Sequence, residues 1–292
     1  MSPVTVLYVT QAIHGLVYGM LLFLVASGLT LIYGMMGFLN LSHAFFFMLA
    51  AYLCSTFLEI TNNFWISLLL APIVVGLVGI LVERFFLRNL EHGALGYIGQ
   101  ILPTLGIALL ILTAVMFFWG PRPPGITIPK SLVGFASIAG LNYPIYRLFI
   151  MGLSFVILAI MALILFKTRL GLIVRAAVSD ADMVSALGIK IPLVSTLVFG
   201  IGTWMAGVAG VAAAPMFAVN AGFGYQWSLE AFLVVIVGGL GSLLGAFVAA
   251  LVFGELHSYG IQLIPRLVPV LMFLVLVLVL CFKPTGFFGR KE

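Results

Sequence analysis

Charge is what this sequence has least of. Asp, Glu, Lys and Arg together make up 7% of its 292 residues, against about a quarter in soluble domains. No charged residue occurs before Glu59, and the first basic residue is Arg84. With 64% hydrophobic residues the chain has too little polar surface to cover a water-soluble core, so lipid is the expected solvent. A secretory signal peptide needs a basic stretch ahead of its apolar core. None precedes the first apolar run, which therefore reads as a retained span. Cysteine is scarce too. Cys54 and Cys281 each lie inside an apolar run and read as small buried hydrophobes, which excludes a disulfide framework or a CxxC metal site. His14, His43, His92 and His257 show no metal-ligand spacing, so neither metal nor cofactor is expected. The chain has no GxxxxGK[ST] phosphate loop, no nucleophile elbow and no acid pair placed for general acid–base chemistry. It is not expected to be an enzyme, and it offers no means of hydrolysing ATP. A net charge of +5 is low for a nucleic-acid binder, and no such partner is expected.

Long apolar runs are what it does contain. A membrane helix needs about 20 such residues. Runs occur at Gln11–Gly34, Leu39–Leu58, Phe64–Val82, Tyr97–Trp119, Tyr146–Phe166, Leu193–Phe217, Glu230–Gly254 and Leu267–Phe282. They are continuous rather than alternating, which selects helices over barrel strands. The expected fold is all-α, a polytopic integral membrane helical bundle of about eight membrane segments in one domain, residues 1–292.

Basic residues set the orientation. Arg84 and Arg88 follow the third run, Lys167, Arg169, Arg175 and Lys190 follow the fifth, and Lys283, Arg290 and Lys291 follow the last. The first two groups are separated by two spans and share a side, which the positive-inside rule makes cytoplasmic. Counting back puts the N-terminus outside. Single crossings by all later runs would leave the basic tail outside as well. The run Glu230–Gly254 is interrupted by Gly238-Gly239-Leu240-Gly241-Ser242. A broken or re-entrant pair of short helices there, with no net crossing, returns the C-terminus to the cytoplasm. Such backbone is tolerated at membrane depth only when buried in protein or lining a cavity. The outer segment Gly120–Tyr143 opens on a Pro- and Gly-rich stretch and suggests a compact hairpin or loop. Trp65, Trp119 and Trp227 fall at the expected outer ends of spans, where interfacial tryptophan belongs.

Several local patterns are chemically suggestive. Gly202, Ala206, Gly210 and Ala214 recur every four residues, as do Gly241, Gly245 and Ala249. Small faces of this kind let helix backbones approach in lipid, in ordinary packing or at a subunit seam. Asn40, Ser42 and His43 form a polar patch between apolar runs: a satisfied loop, or part of a substrate path. Glu230 opens a span, where an acid suits the helix dipole or serves the path. The segment Lys167–Pro192 carries a capped start at Asp180, an acid at Asp182 and a stop at Gly188. The helix between is too short to be stable alone in water. A longer helix from near Val174 would align Val174, Ala177, Val178, Ala181 and Val184.

Gly28-Leu-Thr-Leu-Ile-Tyr-Gly34 with Phe38-Leu-Asn-Leu-Ser-His-Ala44 resembles the opening of permeases in branched-chain amino acid ABC transporters. Gly238-Gly-Leu-Gly-Ser242 with Gly245 resembles their glycine-rich late segment, and Phe282-Lys-Pro-Thr-Gly-Phe-Phe-Gly289 their terminal signature. Arg175-Ala176-Ala177 through Gly188 is similar to the inner loop that docks the ATPase, although Arg175 stands where the general importer pattern has Glu, and Ala181 where it has Gly. The short N-terminus resembles the shorter of the two permease types. The resemblance implies a transmembrane permease domain in a bacterial inner membrane. It further implies a second homologous permease, two cytoplasmic ATPase subunits and an extracytoplasmic solute-binding protein. It places Arg175, Ala176, Ala177, Asp180, Asp182 and Gly188 in an ATPase-coupling loop. Asn40, Ser42, His43, Glu230, Gly238, Gly239, Gly241 and Ser242 are the candidate translocation path. The competing reading is a self-sufficient secondary transporter or channel for a small polar solute, which would usually carry intramembrane charges for ion coupling.

Cysteines placed singly at Arg88, Arg175 and Lys291, in a background lacking Cys54 and Cys281, should resist an impermeant thiol reagent in intact cells, and one at Pro123 should react. Strong labelling at Lys291 would sink the re-entrant reading of the glycine break.

Overall fold

Continuous apolar sequence folds as helix because lipid gives backbone N–H and C=O groups no other partners. The computed structural model describes residues 3–88, 96–120, 125–138 and 141–289. His92 and two of the labelling positions above, Pro123 and Lys291, lie outside the described residues. In order the helices are α1 Pro3–Met36, α2 His43–Thr61, α3 Phe64–Val82, α4 Gly96–Phe118, α5 Ile145–Lys167, α6 Arg169–Ser179, α7 Ala181–Ala186, α8 Ile191–Ala213, α9 Phe223–Gly238, α10 Leu243–Leu263 and α11 Val268–Phe282. A five-residue π segment, Glu83–Leu87, prolongs α3. Among the described residues eight helices are long and apolar enough to cross a membrane, and α9 is a shorter apolar one. The Pro- and Gly-rich segment ends in an antiparallel hairpin, β1 Phe135–Ile138 with β2 Leu141–Pro144, pairing Phe135 with Pro144.

Helix α1 is the axis of the bundle, almost wholly enclosed by its neighbours. Lipid-soluble helices gain no hydrophobic drive from meeting one another, so association depends on how closely their backbones approach. At the α1–α10 contact a methyl group added to Gly254 would lie 2.6 Å from the Gly19 Cα. At the α1–α8 contact one added to Gly202 would lie 2.9 Å from the Gly28 carbonyl oxygen. The repeating Gly202, Ala206 and Gly210 are all buried, so that small face serves packing within this chain.

The two ends of the bundle differ in charge. One, the basic end, holds the close of α3, α5 and α11, the start of α8, and helices α6 and α7, with Arg84, Arg88, Lys167, Arg169, Arg175, Lys190 and Lys283. The other, the hairpin end, holds the start of α1 and the close of α10, joined by bonds from Ser258 Oγ to the Gln11 carbonyl (2.8 Å) and from Tyr259 to the Tyr8 carbonyl (3.0 Å). The start of α1 and Gly289 therefore lie at opposite ends, since Gly289 sits against Gly239 at the basic end.

The glycine break falls where the sequence puts it, but the flanking helices differ from two short ones within Glu230–Gly254. Helix α9 already starts at Phe223, because the aromatic run Phe223–Trp227 packs into the core, and α10 runs its full length to Leu263. α9 descends to the basic end and α10 returns from it, so the pair makes no net crossing. Trp227 is not interfacial. It is 1% exposed among Tyr18, Phe47 and Phe217, because α9 begins inside the bundle. Trp65 is exposed, and Trp119 donates to Thr56 at 2.8 Å. Cys54 is buried, but Cys281 faces outward from α11.

Gly254→Leu should lower stability by about 1–3 kcal/mol or more through overpacking against α1. Gly106→Leu, on α4 with open space around it, should leave stability unchanged. Equal melting temperatures for the two purified variants would contradict the backbone contact.

Candidate functional site

The polar patch after α1 turns back into the bundle. His43 Nε2 lies 3.0 Å from the Val25 carbonyl, eleven residues before the end of α1 and so about 16 Å along the helix from it. The segment 37–42 is thus non-helical backbone at depth, and Asn40 and Ser42 are fully buried. Its polar groups are satisfied locally. Asn40 Oδ1 accepts from Ser42 N at 3.0 Å and from Ser42 Oγ at 2.6 Å, and Leu41 N donates to Thr104 of α4 at 3.2 Å. Two buried nitrogens, Asn40 Nδ2 and His43 Nδ1, make no hydrogen bond.

Glu230 does not cap a helix start. It lies mid-way along α9, 7% exposed, and accepts a hydrogen bond from the Tyr18 hydroxyl on α1. The Tyr18 ring stacks flat on His257 of α10, centroid to centroid 3.9 Å. Three helices therefore converge on one buried acid. Nearer the hairpin end, His14, one turn before Tyr18, meets the Tyr143 hydroxyl at 2.7 Å, and Arg147 Nη1 at 2.9 Å from its Nε2. Burial pushes the Tyr143 phenol above its usual range, and the Arg147 guanidinium opposes that rise. Of these residues only Glu230 is a candidate site residue from the sequence, where His14 and His257 enter only as histidines without ligand spacing. Tyr18, His14, Tyr143 and Arg147 carry no local pattern.

At the basic end the glycine break is closed by the terminal signature. Phe287 N donates to the Val237 carbonyl at 2.8 Å and Phe288 N to that of Gly238 at 3.0 Å. These carbonyls at the end of α9 would otherwise be orphaned. Gly239 has φ +102°, and a methyl group there would lie 2.8 Å from the Gly289 Cα, so both turn and tail require glycine. Gly238 and Gly245 pack backbone to backbone across the turn. Gly241 and Ser242 border a cavity of about 910 Å³ that Thr30, Gly34, Val174, Arg175 and Thr285 also line. The break and the loop after α5 thus meet in one place. Ser242 Oγ accepts from Gly245 N at 3.1 Å, which starts α10.

The loop after α5 holds two helices in an elbow, not the single long helix from Val174. Asp180 is extended (φ −158°, ψ 96°), closes α6 and caps α7, its Oδ1 accepting from Met183 N at 2.9 Å. Val174, Ala177 and Val184 are buried, while Val178 and Ala181 are exposed. Arg175 rests over the Phe166 ring at 5.5 Å. Ala176 and Asp182 face outward. Gly188 has φ +84°, the left-handed stop expected of it. Met183 on α7 and Leu187 just past its end are 62% and 75% exposed. Beside this elbow α3 and α8 are clamped. Arg88 donates to the Pro192 carbonyl at 2.7 Å and pairs with the buried Glu83 at 3.7 Å, while Thr196 donates to Glu83 at 2.5 Å.

The model for the family described as branched-chain amino acid transport system / permease component matches residues 11–280. The chain is 29% identical over 301 residues to the high-affinity branched-chain amino acid transport system permease protein BraD of Pseudomonas aeruginosa, covering 98% of this chain and 97% of that one. It is 26% identical over 306 residues to the permease proteins LivH of Salmonella typhimurium and Escherichia coli, covering 100% of this chain and 99% of each. No solved structure matches the chain. Buried re-entrant backbone, a glycine turn closed by the terminal signature and a polytopic helical bundle occur together in a sequence that the family model matches almost end to end, and the chain belongs to the family of branched-chain amino acid transport permeases.

Proposed function

We propose that this chain is the membrane-spanning permease subunit of an ATP-driven importer in a bacterial inner membrane, with branched-chain or related amino acids as its cargo. It forms the translocation path with a second homologous permease, receives cargo from an extracytoplasmic solute-binding protein, and is driven by two cytoplasmic ATPase subunits. The basic end faces the cytoplasm by the positive-inside rule, which puts the start of α1 and the hairpin outside.

The observation that carries this reading is the α6–α7 elbow. It stands at the basic end, and its short α7 presents Met183 and, just past its end, Leu187, both exposed. A segment of six residues is too short to hold helical form alone, and here it is fixed by the Asp180 cap and the buried Val184. ATP-driven transport needs a physical contact whose energy differs between two states of the transporter. An apolar pair on a rigid elbow suits that contact. Ala177 is buried against its own chain, so its small size serves the fold of the elbow more than the docking of a partner. Arg175 and Gly241, which line one cavity, offer a route from the elbow to the glycine turn. The buried Glu230 is the one feature that favours a secondary transporter, and it is accommodated as part of the path.

Met183→Asp and Leu187→Asp should each reduce ATPase co-purification, by roughly tenfold for the loss of an apolar contact worth about 1.5 kcal/mol. The melting temperature of the permease should not move. Full recovery of ATPase subunits with both variants would remove α7 from the coupling interface. Uptake that persists without ATPase subunits and collapses with a protonophore would instead favour the secondary transporter.

A further inference from the structure

We propose that Arg147 and Glu230 are the two poles of one subsite for a zwitterionic α-amino acid, with Arg147 taking the carboxylate and Glu230 the ammonium group. The proposal rests on the transport reading above and names the residues that would recognise its cargo inside the membrane.

His14 and Tyr18 stand four residues apart on α1, hence on one face and about 6 Å apart along the axis. His14 touches Arg147 from α5, and Tyr18 touches Glu230 from α9. Opposite formal charges are thus brought to successive turns of the central helix. Neither forms an ion pair among the described residues, where the only pair is Arg88–Glu83. Glu230 is held by neutral neighbours at a depth where an uncompensated charge is costly, and Arg147, half-buried at the start of α5, rests against His14. A ligand carrying both charges on one carbon would compensate both at once. Such a ligand would set one hydrogen bond of about 2.8 Å at each pole, from its ammonium group to Glu230 and from Arg147 to its carboxylate. The phenol of Tyr18 now occupies one Glu230 oxygen and would yield it to the ammonium group.

Two further observations fit the same ligand. Trp227, one turn before Glu230 on the same face of α9, has a buried indole N–H with no acceptor. A carboxylate held by Arg147 would supply one. The rings of Trp227, Phe217 and Phe223 crowd together at centroid distances of 5.5 to 6.4 Å, an apolar wall beside the acid for a branched side chain.

The test is competition against tritiated leucine on the purified transporter without its binding protein. Leucinamide lacks the carboxylate and 4-methylpentanoate lacks the ammonium group. The wild type should prefer leucine to each by roughly tenfold or more, the scale of a charged hydrogen bond. Arg147→Gln should abolish the preference over leucinamide alone, and Glu230→Gln the preference over 4-methylpentanoate alone. Arg147→Lys and Tyr18→Phe, which keep both charges and most of the packing, should retain both preferences and guard against misfolding. Retention of both preferences in the Gln variants, or their loss in the charge-keeping pair, overturns the subsite and leaves the importer reading standing. A complete wild-type transporter, with ATPases and binding protein, that moves no amino acid overturns both.

Discussion

Lipid surrounds this bundle on its flanks, and lipid does not push helices together. Backbone proximity has to do so, and α1 makes it possible through Gly19 against Gly254 and Gly28 against Gly202. Once α1 is held on both sides it becomes the ruler on which the other features are placed. His14 meets α5, Tyr18 meets α9 and α10, the Val25 carbonyl meets His43, and Gly34 lies beside Gly241. A side chain inserted at the α1–α10 contact would therefore shift every group along that line, well beyond the point of insertion.

Irregular backbone at depth occurs twice and is stabilised in two ways. After α1, the chain supplies its own acceptor through Asn40. After α9, help comes from the residues that follow α11, whose N–H groups reach the open carbonyls. The first device is local and closed on itself. The second couples the α9–α10 turn to the close of α11 and, through the shared cavity, to the α6–α7 elbow. Gly37, at the start of the first break, lines the same cavity, so both breaks border the space beside the elbow.

Hydropathy alone located most of the long helices to within about four residues, because apolar runs in lipid have little choice but to be helical; α1 starts eight residues before its apolar run, and α10 continues nine residues past the run Glu230–Gly254. Gly238–Ser242 was legible for a similar reason, since no side chain fits a turn so crowded. The capped start at Asp180 and the left-handed Gly188 were local patterns and emerged as read. The elbow between Val174 and Val184 was not legible, because apolar spacing cannot distinguish one helix from two that share a buried side. The aromatic core around Trp227 was misjudged for want of depth: a tryptophan near a span's edge in sequence looks interfacial whether or not the span starts inside the bundle. Tyr18 with Glu230 and His14 with Arg147 are separated by 212 and 133 residues, so they are visible only once α1 is packed.

The tail that closes α9 sets an order of events during synthesis. Phe287 and Phe288 are translated about fifty residues after the carbonyls they satisfy. At roughly 5–20 residues per second that is an interval of several seconds. Throughout it, the end of α9 lies in or near the membrane with acceptors unmet, and the α9–α10 hairpin is held by its own glycine contact and by α1 and α2. The hairpin becomes final when α11 has been inserted and its trailing residues fold back beneath it. The signature Lys283–Gly289 thus acts as a latch on assembly: a permease cut short or extended rigidly at this point would enter the bilayer with its spans in place and its inner turn unsealed.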